Sequence, residues 1–150
     1  APKKAAGGIE SLIGRNPSDR KKMTTRVKEG RKAVTRYEVV ESYGVPRSAP
    51  FASWISVRLE TGRTHQIRVH LTELGHSLLG DPVYGAATSK QPKWKALPAE
   101  IQEAVGSLPG QALHARVLGF KHPITGAPVR VEAEPPEALA ELMRRLKRYS

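Results

Sequence analysis

The most concentrated set of reactive side chains lies between positions 63 and 70. A solvated surface more often carries Lys and Glu, and a buried core carries few such groups, because each donor or acceptor taken from water needs a partner. The segment is therefore predicted to face a polar, anionic ligand. Six of its eight consecutive residues are polar, namely Arg63, Thr64, His65, Gln66, Arg68 and His70.

The segment 64–74 is predicted to be a helix, because Ile67, Leu71 and Leu74 recur at i, i+4 and i+7. The helix would dock by this apolar stripe and direct Arg68 outward into a cleft. A planar guanidinium grips a carboxylate or phosphate with two hydrogen bonds and stays charged where water is scarce. The alternative is that Arg68 pairs with a Glu of the chain and that the histidines are structural.

The histidines do not predict a metal site. His65, His70 and His76 are five and six residues apart, which does not place them on one helical face, and no nearby acid completes a site. The chain has no cysteine, which excludes disulfides, thiolate zinc sites and a cysteine nucleophile. No metal or other cofactor is predicted.

The charge of the chain favours a nucleic-acid partner. The 150 residues, one domain by length, carry 25 Lys and Arg against 14 Asp and Glu, for a net charge of +11. No signal peptide or membrane span is recognisable, so a cytoplasmic location is expected. Phosphate contacts are predicted for a basic loop, and a merely solvated loop is the alternative. Its cations are Arg15, Arg20, Lys21, Lys22 and Arg26.

The order of apolar patterns predicts an α+β fold, an antiparallel (mixed) sheet carrying a few helices. Residues 1–8 are interpreted as a flexible lead-in, and residues 86–111 as an insertion with one short helix near 98–105. Alternating segments predict strands, of which 33–43 and 52–60 would be neighbours and 113–133 a hairpin. The remaining predictions are a strand at 9–14, turns at 80–85 and 122–126, and a last helix at 137–148.

Several motifs in a fixed order resemble the RluA/RluD family of pseudouridine synthases. The most specific is the run Leu59-Glu60-Thr61-Gly62-Arg63-Thr64-His65-Gln66-Ile67-Arg68-Val69-His70. Gly80-Asp81-Pro82-Val83-Tyr84-Gly85 and Ala112-Leu113-His114-Ala115 come next in the family's order, as does Phe120-Lys121-His122-Pro123-Ile124-Thr125-Gly126. Upstream, Ile13-Gly14-Arg15-Asn16-Pro17 also matches. The resemblance covers roughly residues 9–146.

This resemblance implies a partial pseudouridine synthase catalytic fold in residues 9–150. The family isomerises uridine in structured RNA without a cofactor, acting on a base flipped out of its helix. In this family an arginine at the position of Arg68 holds a catalytic aspartate ionised, as a nearby opposite charge does. The implied partner is RNA, with ribosomal favoured over transfer RNA, and the oligomeric state is open. The residues expected to shape the cleft are Arg63, Thr64, His65, Gln66, His70, Leu113 and His114.

The aspartate that the resemblance requires is not recognisable in these 150 residues. It lies in a His-Arg-Leu-Asp motif, whereas Asp19 falls in the basic loop and Asp81 looks like a turn-former. The chain therefore resembles the C-terminal part of the catalytic domain and is expected to be inactive alone. Arg68 should then contact solvent, an anion or Glu60. The alternative is a non-catalytic RNA-binding module on the same scaffold.

Overall fold

The computed structural model describes residues 2–85, 92–95 and 97–150. Its centre is a four-stranded antiparallel sheet, in which the strands, defined below, follow the order β2-β1-β3-β4. A separate hairpin, β5–β6, and four helices complete the described chain. The strands are β1 (Ala6–Arg15), β2 (Met23–Thr24), β3 (Arg31–Tyr43), β4 (Ala52–Leu59), β5 (Val117–Lys121) and β6 (Pro128–Glu132). The helices are α1 (Gln66–Glu73), α2 (Pro92–Lys95), α3 (Ala99–Gly106) and α4 (Glu137–Leu146), and a 3₁₀ turn (Lys147–Tyr149) comes directly after α4. The predicted α+β class is confirmed.

Strand β3 organises the sheet because it pairs along both edges. It pairs antiparallel with β1 from Ile13↔Arg31 to Ala6↔Glu38, and with β4 from Thr35↔Leu59 to Tyr43↔Ala52. The predicted pairing of 33–43 with 52–60 is therefore confirmed. The interpretation of residues 1–8 as a flexible lead-in is wrong for residues 6–8, which pair with β3 despite their small side chains. A β partner satisfies the backbone of small residues as well as of large ones.

Two apolar clusters hold the layers together. The smaller lies under α1 and consists of Ile13, Ala33 and Val69, with Met23 and Tyr84 against it. The larger is centred on residues from the segment that the sequence suggested to be an insertion. Its buried members are Tyr43, Ala52, Leu97, Ile101, Ala104, Val105, Leu142 and Leu146. The predicted helix near 98–105 is confirmed as α3, but the segment supplies core residues rather than a peripheral loop; positions 86–91 and 96 lie outside the described residues.

Helix α1 turns a different face inward from the one predicted. Leu71 is buried, but Leu74 is 42% exposed and lies beyond the end of the helix. The residues that complete the buried face are Gln66, Val69 and His70. The apolar stripe thus predicted the wrong buried face. Two polar side chains, Gln66 and His70, occupy core positions and hydrogen-bond to partners within the chain.

The hairpin β5–β6 is amphipathic and largely exposed. Cross-strand register places Leu118 opposite Val131 and Phe120 opposite Val129, so these four apolar side chains share one face. Leu118, Phe120 and Val131 are 59%, 47% and 52% exposed. The predicted hairpin within 113–133 and last helix within 137–148 are confirmed over slightly shorter ranges. None of the helices in the described residues is long and apolar enough to cross a membrane.

Candidate active site around Arg68

Arg68 is held by a bidentate ion pair with Asp81. Its Nε donates to Oδ2 and its Nη2 to Oδ1, both at 2.8 Å. The Asp81 side chain is fully buried, whereas the Arg68 side chain keeps 11% of its surface exposed. Backbone N–H groups of Val83 and Tyr84 also donate to Oδ1, at 2.9 and 3.0 Å. The carboxylate is therefore fixed by its own turn and fixes the guanidinium in turn.

Each member of this ion pair stabilises the charged form of the other. Burial disfavours the ionised Asp81, but hydrogen bonds from Arg68 and from the backbone of Tyr84 and Val83 outweigh it and lower the pKa of this carboxyl. The bond to Asp81 raises the pKa of Arg68. Both groups are charged at neutral pH.

The sequence-based expectation for the partner of Arg68 was wrong. A carboxylate of the chain itself, Asp81, occupies the place for which solvent, an anion or Glu60 had been expected, and Glu60 instead accepts from Arg36 Nε at 2.7 Å. The interpretation of Asp81 as a turn-former is confirmed by its bonds to the backbone of the turn. The role of Arg68 toward a second, catalytic acid stays a prediction.

Tyr84 supports the same guanidinium from one face. The Cζ atom of Arg68 lies 5.0 Å from the centroid of the Tyr84 ring, within the range of a cation–π contact. The Tyr84 hydroxyl accepts a hydrogen bond from the backbone N–H of Met23 at 2.7 Å and lies 3.0 Å from His65 Nδ1. Sequence reasoning missed this role, although Tyr84 stands in the Gly80–Gly85 motif that was singled out.

His65 adopts a left-handed backbone conformation at the start of α1. Its φ of 57° is uncommon for a residue other than Gly, and non-glycine residues in such conformations often cluster at functional sites. Its ring meets the Tyr84 ring edge-on, with centroids 5.6 Å apart. Burial and the charge of Arg68 lower the pKa of His65, so the ring is neutral at pH 7.

Gln66 and His70, which the sequence placed in the cleft, are instead interior residues. They are 2% and 0% exposed. Gln66 Nε2 donates to the Val34 carbonyl at 3.0 Å and to Thr35 Oγ1 at 2.9 Å. Its Oε1 accepts from Thr61 Oγ1 at 2.9 Å. A cleft-lining role is wrong for both, because their polar atoms bond to partners in the chain.

His70 connects α1 to two strands. Its Nδ1 lies 2.8 Å from Thr35 Oγ1 on β3, and its Nε2 lies 2.9 Å from Ser11 Oγ on β1. Desolvation lowers the pKa of this imidazole. His70 is therefore a neutral structural linker beneath the helix that carries Arg68.

The other residues predicted to shape the cleft lie in two regions. Arg63 Nε donates to the Lys32 carbonyl at 3.0 Å, and Thr64 is exposed beside it, just before α1. His114 Nε2 donates to the Ala133 carbonyl at 2.9 Å, and Leu113 is 38% exposed next to it. Their roles in a cleft stay predictions.

The basic loop between β1 and β2 has a defined shape. Asn16 Oδ1 accepts from the backbone N–H groups of Ser18 and Asp19, at 2.8 and 3.1 Å. Arg15, Arg20, Lys21 and Arg26 are exposed and Lys22 is partly buried; phosphate contacts by all five stay a prediction. A cavity of about 180 Å³ separates this loop from α1. It is lined by Asn16, Lys22, Met23, Thr24, Val69, Thr72, Glu73 and Tyr84.

Comparison with known proteins points to one family. The family model described as RNA pseudouridylate synthase matches residues 1–73. An uncharacterised RNA pseudouridine synthase of Chlorobaculum parvum is 39% identical over 97% of this chain and 44% of its own length. The ribosomal large subunit pseudouridine synthase D of Xanthomonas campestris is 42% identical over 97% of this chain and 41% of its own length. The chain belongs to the RluA/RluD-type family of pseudouridine synthases.

The fold agrees with this family, although the chain spans less than half the length of the curated relatives named above. The solved structure of human RNA pseudouridylate synthase domain containing 1 superposes with a TM-score of 0.65, at 23% identity, over 97% of this chain and 60% of that chain. That likeness concerns the fold alone. Arg68 lies within the segment that the family model matches, and Asp81 lies beyond it.

Proposed function

We propose that the chain is the C-terminal part of the catalytic domain of a cytoplasmic RNA pseudouridine synthase, acting on ribosomal RNA. The similarity to family members over nearly all of the chain supports this assignment, as does the share of their length that it spans. The net charge of +11 suits an RNA substrate. Relatives that carry the name of a ribosomal large subunit enzyme favour ribosomal over transfer RNA.

The single observation that carries the proposal is the orientation of Arg68. Asp81 occupies the Nε and Nη2 side of the guanidinium, and within the described part of the chain Nη1 has no hydrogen-bond acceptor. The Arg68 side chain keeps 11% of its surface exposed, so a group from outside the described residues can approach it. A second carboxylate could accept from Nη1 and from the free N–H of Nη2, and so stay ionised.

In this proposal the second carboxylate comes from outside the 150 residues. Asp81 is fully engaged with Arg68 and its turn, and Asp19 lies in the basic loop. The reaction breaks the N1–C1′ bond of uridine and forms a C5–C1′ bond, while C5 loses a proton and N1 gains one. Arg63, Thr64 and His65 would border the flipped base, together with Leu113 and His114, and the basic loop would contact phosphates.

The exposed apolar face of the hairpin also supports the assignment to part of a domain. Two-stranded hairpins are marginally stable alone, and an apolar face of this kind is normally covered. Leu118, Phe120 and Val131 lack such cover in the described chain. A non-catalytic RNA-binding module is the second candidate, favoured by the engagement of both aspartates of the chain in contacts of their own.

The test compares this chain with the same chain extended by the coding sequence that precedes it in frame. Release of tritium from C5-labelled uridine in ribosomal RNA reports the reaction, because C5 exchanges its hydrogen for a carbon bond. The proposal predicts turnover by the extended polypeptide and none by the 150 residues alone. Binding of RNA without turnover by either polypeptide would favour the binding module.

A further inference from the structure

We propose that Asp81 is a positioning residue for Arg68 and that Tyr84 is its second support. This inference rests on the proposed function, because it concerns how the arginine meets a catalytic acid. Neither residue would contact the substrate. They would hold the guanidinium in the one orientation in which its remaining donors point toward the second carboxylate.

The hydrogen bonds of Asp81 leave it no other role. Its Oδ1 accepts from Arg68 Nη2 and from two backbone N–H groups, of Val83 and Tyr84, and its Oδ2 accepts from Arg68 Nε. The side chain has no exposed surface. A carboxylate so engaged cannot attack a base or accept a proton from one without breaking the turn. Its effect on any reaction must pass through Arg68.

The same geometry divides the guanidinium into two edges. The Nε–Nη2 edge is filled by Asp81 in the side-on arrangement that fixes the plane of the group. Three N–H donors stay free of Asp81, and two of them, one from Nη1 and one from Nη2, lie along the Nη1–Nη2 edge. Holding an arginine by one edge before its ligand arrives removes the freedom that would otherwise be lost on binding.

Tyr84 restrains the face of the guanidinium and links it to the sheet. Its ring lies under Cζ of Arg68, and its hydroxyl accepts from the N–H of Met23, the first residue of β2. Lys22, the last cation before β2, belongs to the basic loop. The orientation of Arg68 is thus set by two separate elements, the Gly80–Gly85 turn and the strand that comes after the loop.

The kinetic test uses the in-frame extended polypeptide with Asp81→Asn, Arg68→Lys and the double variant. If Asp81 acts through Arg68, Asp81→Asn lowers kcat by about tenfold or more and changes the Kd for RNA less than about twofold. The double variant then loses no more kcat than Arg68→Lys alone, because partners that act as a unit are not additive. Glu103→Gln, which breaks an exposed pair with Arg145, is the matched control.

Two kinetic outcomes would overturn the inference. One is a kcat of Asp81→Asn that equals the kcat of the Glu103→Gln control. The other is a loss in the double variant that equals the product of the two single losses. Should Asp81→Asn fail to fold, Asp81→Glu replaces it, since one added methylene displaces the carboxylate but keeps its charge; full kcat in a folded Asp81→Glu would also overturn the inference.

A second readout separates this inference from the proposed function. The ¹⁵N relaxation of the Arg68 Nε–H group measures the order of the guanidinium whether or not the protein turns over RNA. We expect a rigid Arg68 in the unsubstituted protein and a mobile one in Asp81→Asn, with Tyr84→Leu between them. Equal order in all three would overturn positioning by Asp81. A rigid Arg68 in an extended polypeptide that forms no pseudouridine would overturn the proposed function alone.

Discussion

At the scale of single residues, the ion pair of Arg68 and Asp81 contributes most to the geometry of the site. Removing one partner of a largely buried pair leaves the other charge without compensation, which typically costs about 3 kcal/mol or more. Asp81→Asn is therefore expected to lower the free energy of unfolding at pH 7 by about 3 kcal/mol. Urea unfolding followed by circular dichroism measures it.

The pH dependence of that difference comes from the lowered pKa of Asp81. A carboxyl whose pKa is lower in the folded state stabilises the protein above its unfolded pKa of about 3.9, and this stabilisation is lost as pH falls through the folded pKa. The difference in free energy of unfolding between the unsubstituted protein and Asp81→Asn should become smaller below about pH 4. If this difference in free energy of unfolding stays constant from pH 7 to pH 3, the folded state does not stabilise the ionised form of Asp81.

The lowered pKa of His70 leads us to expect a second loss of stability, which begins at a higher pH than the one caused by Asp81. Its pKa is lowered by desolvation, so it contributes stability above its unfolded pKa of about 6.5 that is lost as pH falls through the folded pKa. The free energy of unfolding is expected to decline below about pH 6.5, and His70→Gln should show a shallower decline. His114→Gln is the control, because the described residues give the His114 side chain one hydrogen bond, from Nε2 to the Ala133 carbonyl, and that bond is exposed to solvent. Equal slopes for His70→Gln and the unsubstituted protein would contradict this.

The sequence identified the arginine but not its surroundings. The type and spacing of Arg68 pointed to a carboxylate or phosphate partner, whereas Asp81 was understood only as a turn residue, 13 positions away. Asp81 fills both roles in the structure, since its Oδ1 accepts from the backbone of the turn and from the guanidinium. A contact across a turn has no signature in periodicity, and for this reason Tyr84 was missed as well.

At the scale of elements, α1 is attached to the sheet by polar side chains. Gln66 uses both ends of its amide, bonding the Val34 carbonyl and Thr35 on one side and Thr61 on the other. Each buried polar group left without a partner costs about 1–3 kcal/mol. Gln66→Leu is therefore expected to lower the free energy of unfolding by at least about 2 kcal/mol, measured by urea unfolding.

A second glutamine provides the control for that prediction. Among the described residues, Gln102 on α3 donates one side-chain hydrogen bond, to the Leu97 carbonyl, and it is partly exposed. Gln102→Leu should lower the free energy of unfolding by well under half as much as Gln66→Leu. Equal costs would mean that the network of Gln66 does not anchor α1.

The strands could be predicted from the sequence and the packing of α1 could not. In β3 and β4 the partial alternation of apolar and polar side chains and the β-branched and aromatic residues are typical of strands, and the two strands pair antiparallel with one register shift between Val39 and Glu41. In α1 the buried positions of Gln66 and His70 break the apolar pattern, because internal hydrogen bonds replace hydrophobic burial there. The spacing of apolar residues therefore predicted the helix correctly, but it did not predict which face of the helix is buried.

At the scale of the whole molecule, the apolar face of the hairpin β5–β6 stands out as uncovered. An exposed apolar sheet face favours association with another surface. The 150-residue chain alone is therefore expected to self-associate in sedimentation velocity experiments as its concentration rises. The double variant Leu118→Thr/Val131→Thr should shift it toward monomer, since Thr keeps strand propensity while reducing apolar area.

The opposite face of the same hairpin offers a matched control. Val117 is 46% exposed and pairs with Glu132, so Val117→Thr makes the same chemical change away from the apolar face. It should leave the self-association unchanged. A chain that is monomeric at every concentration, or equally affected by both substitutions, would show that this face does not drive association.

The proposed activity of the whole molecule depends on Arg68 serving a catalytic acid. The most direct measurement is tritium release from C5-labelled uridine by the in-frame extended polypeptide in which Arg68→Lys is the only change. Lysine keeps the charge but loses the planar fork. We expect kcat to fall by about a hundredfold or more while RNA binding changes little. A kcat within about twofold of that of the unsubstituted protein would contradict this role of Arg68.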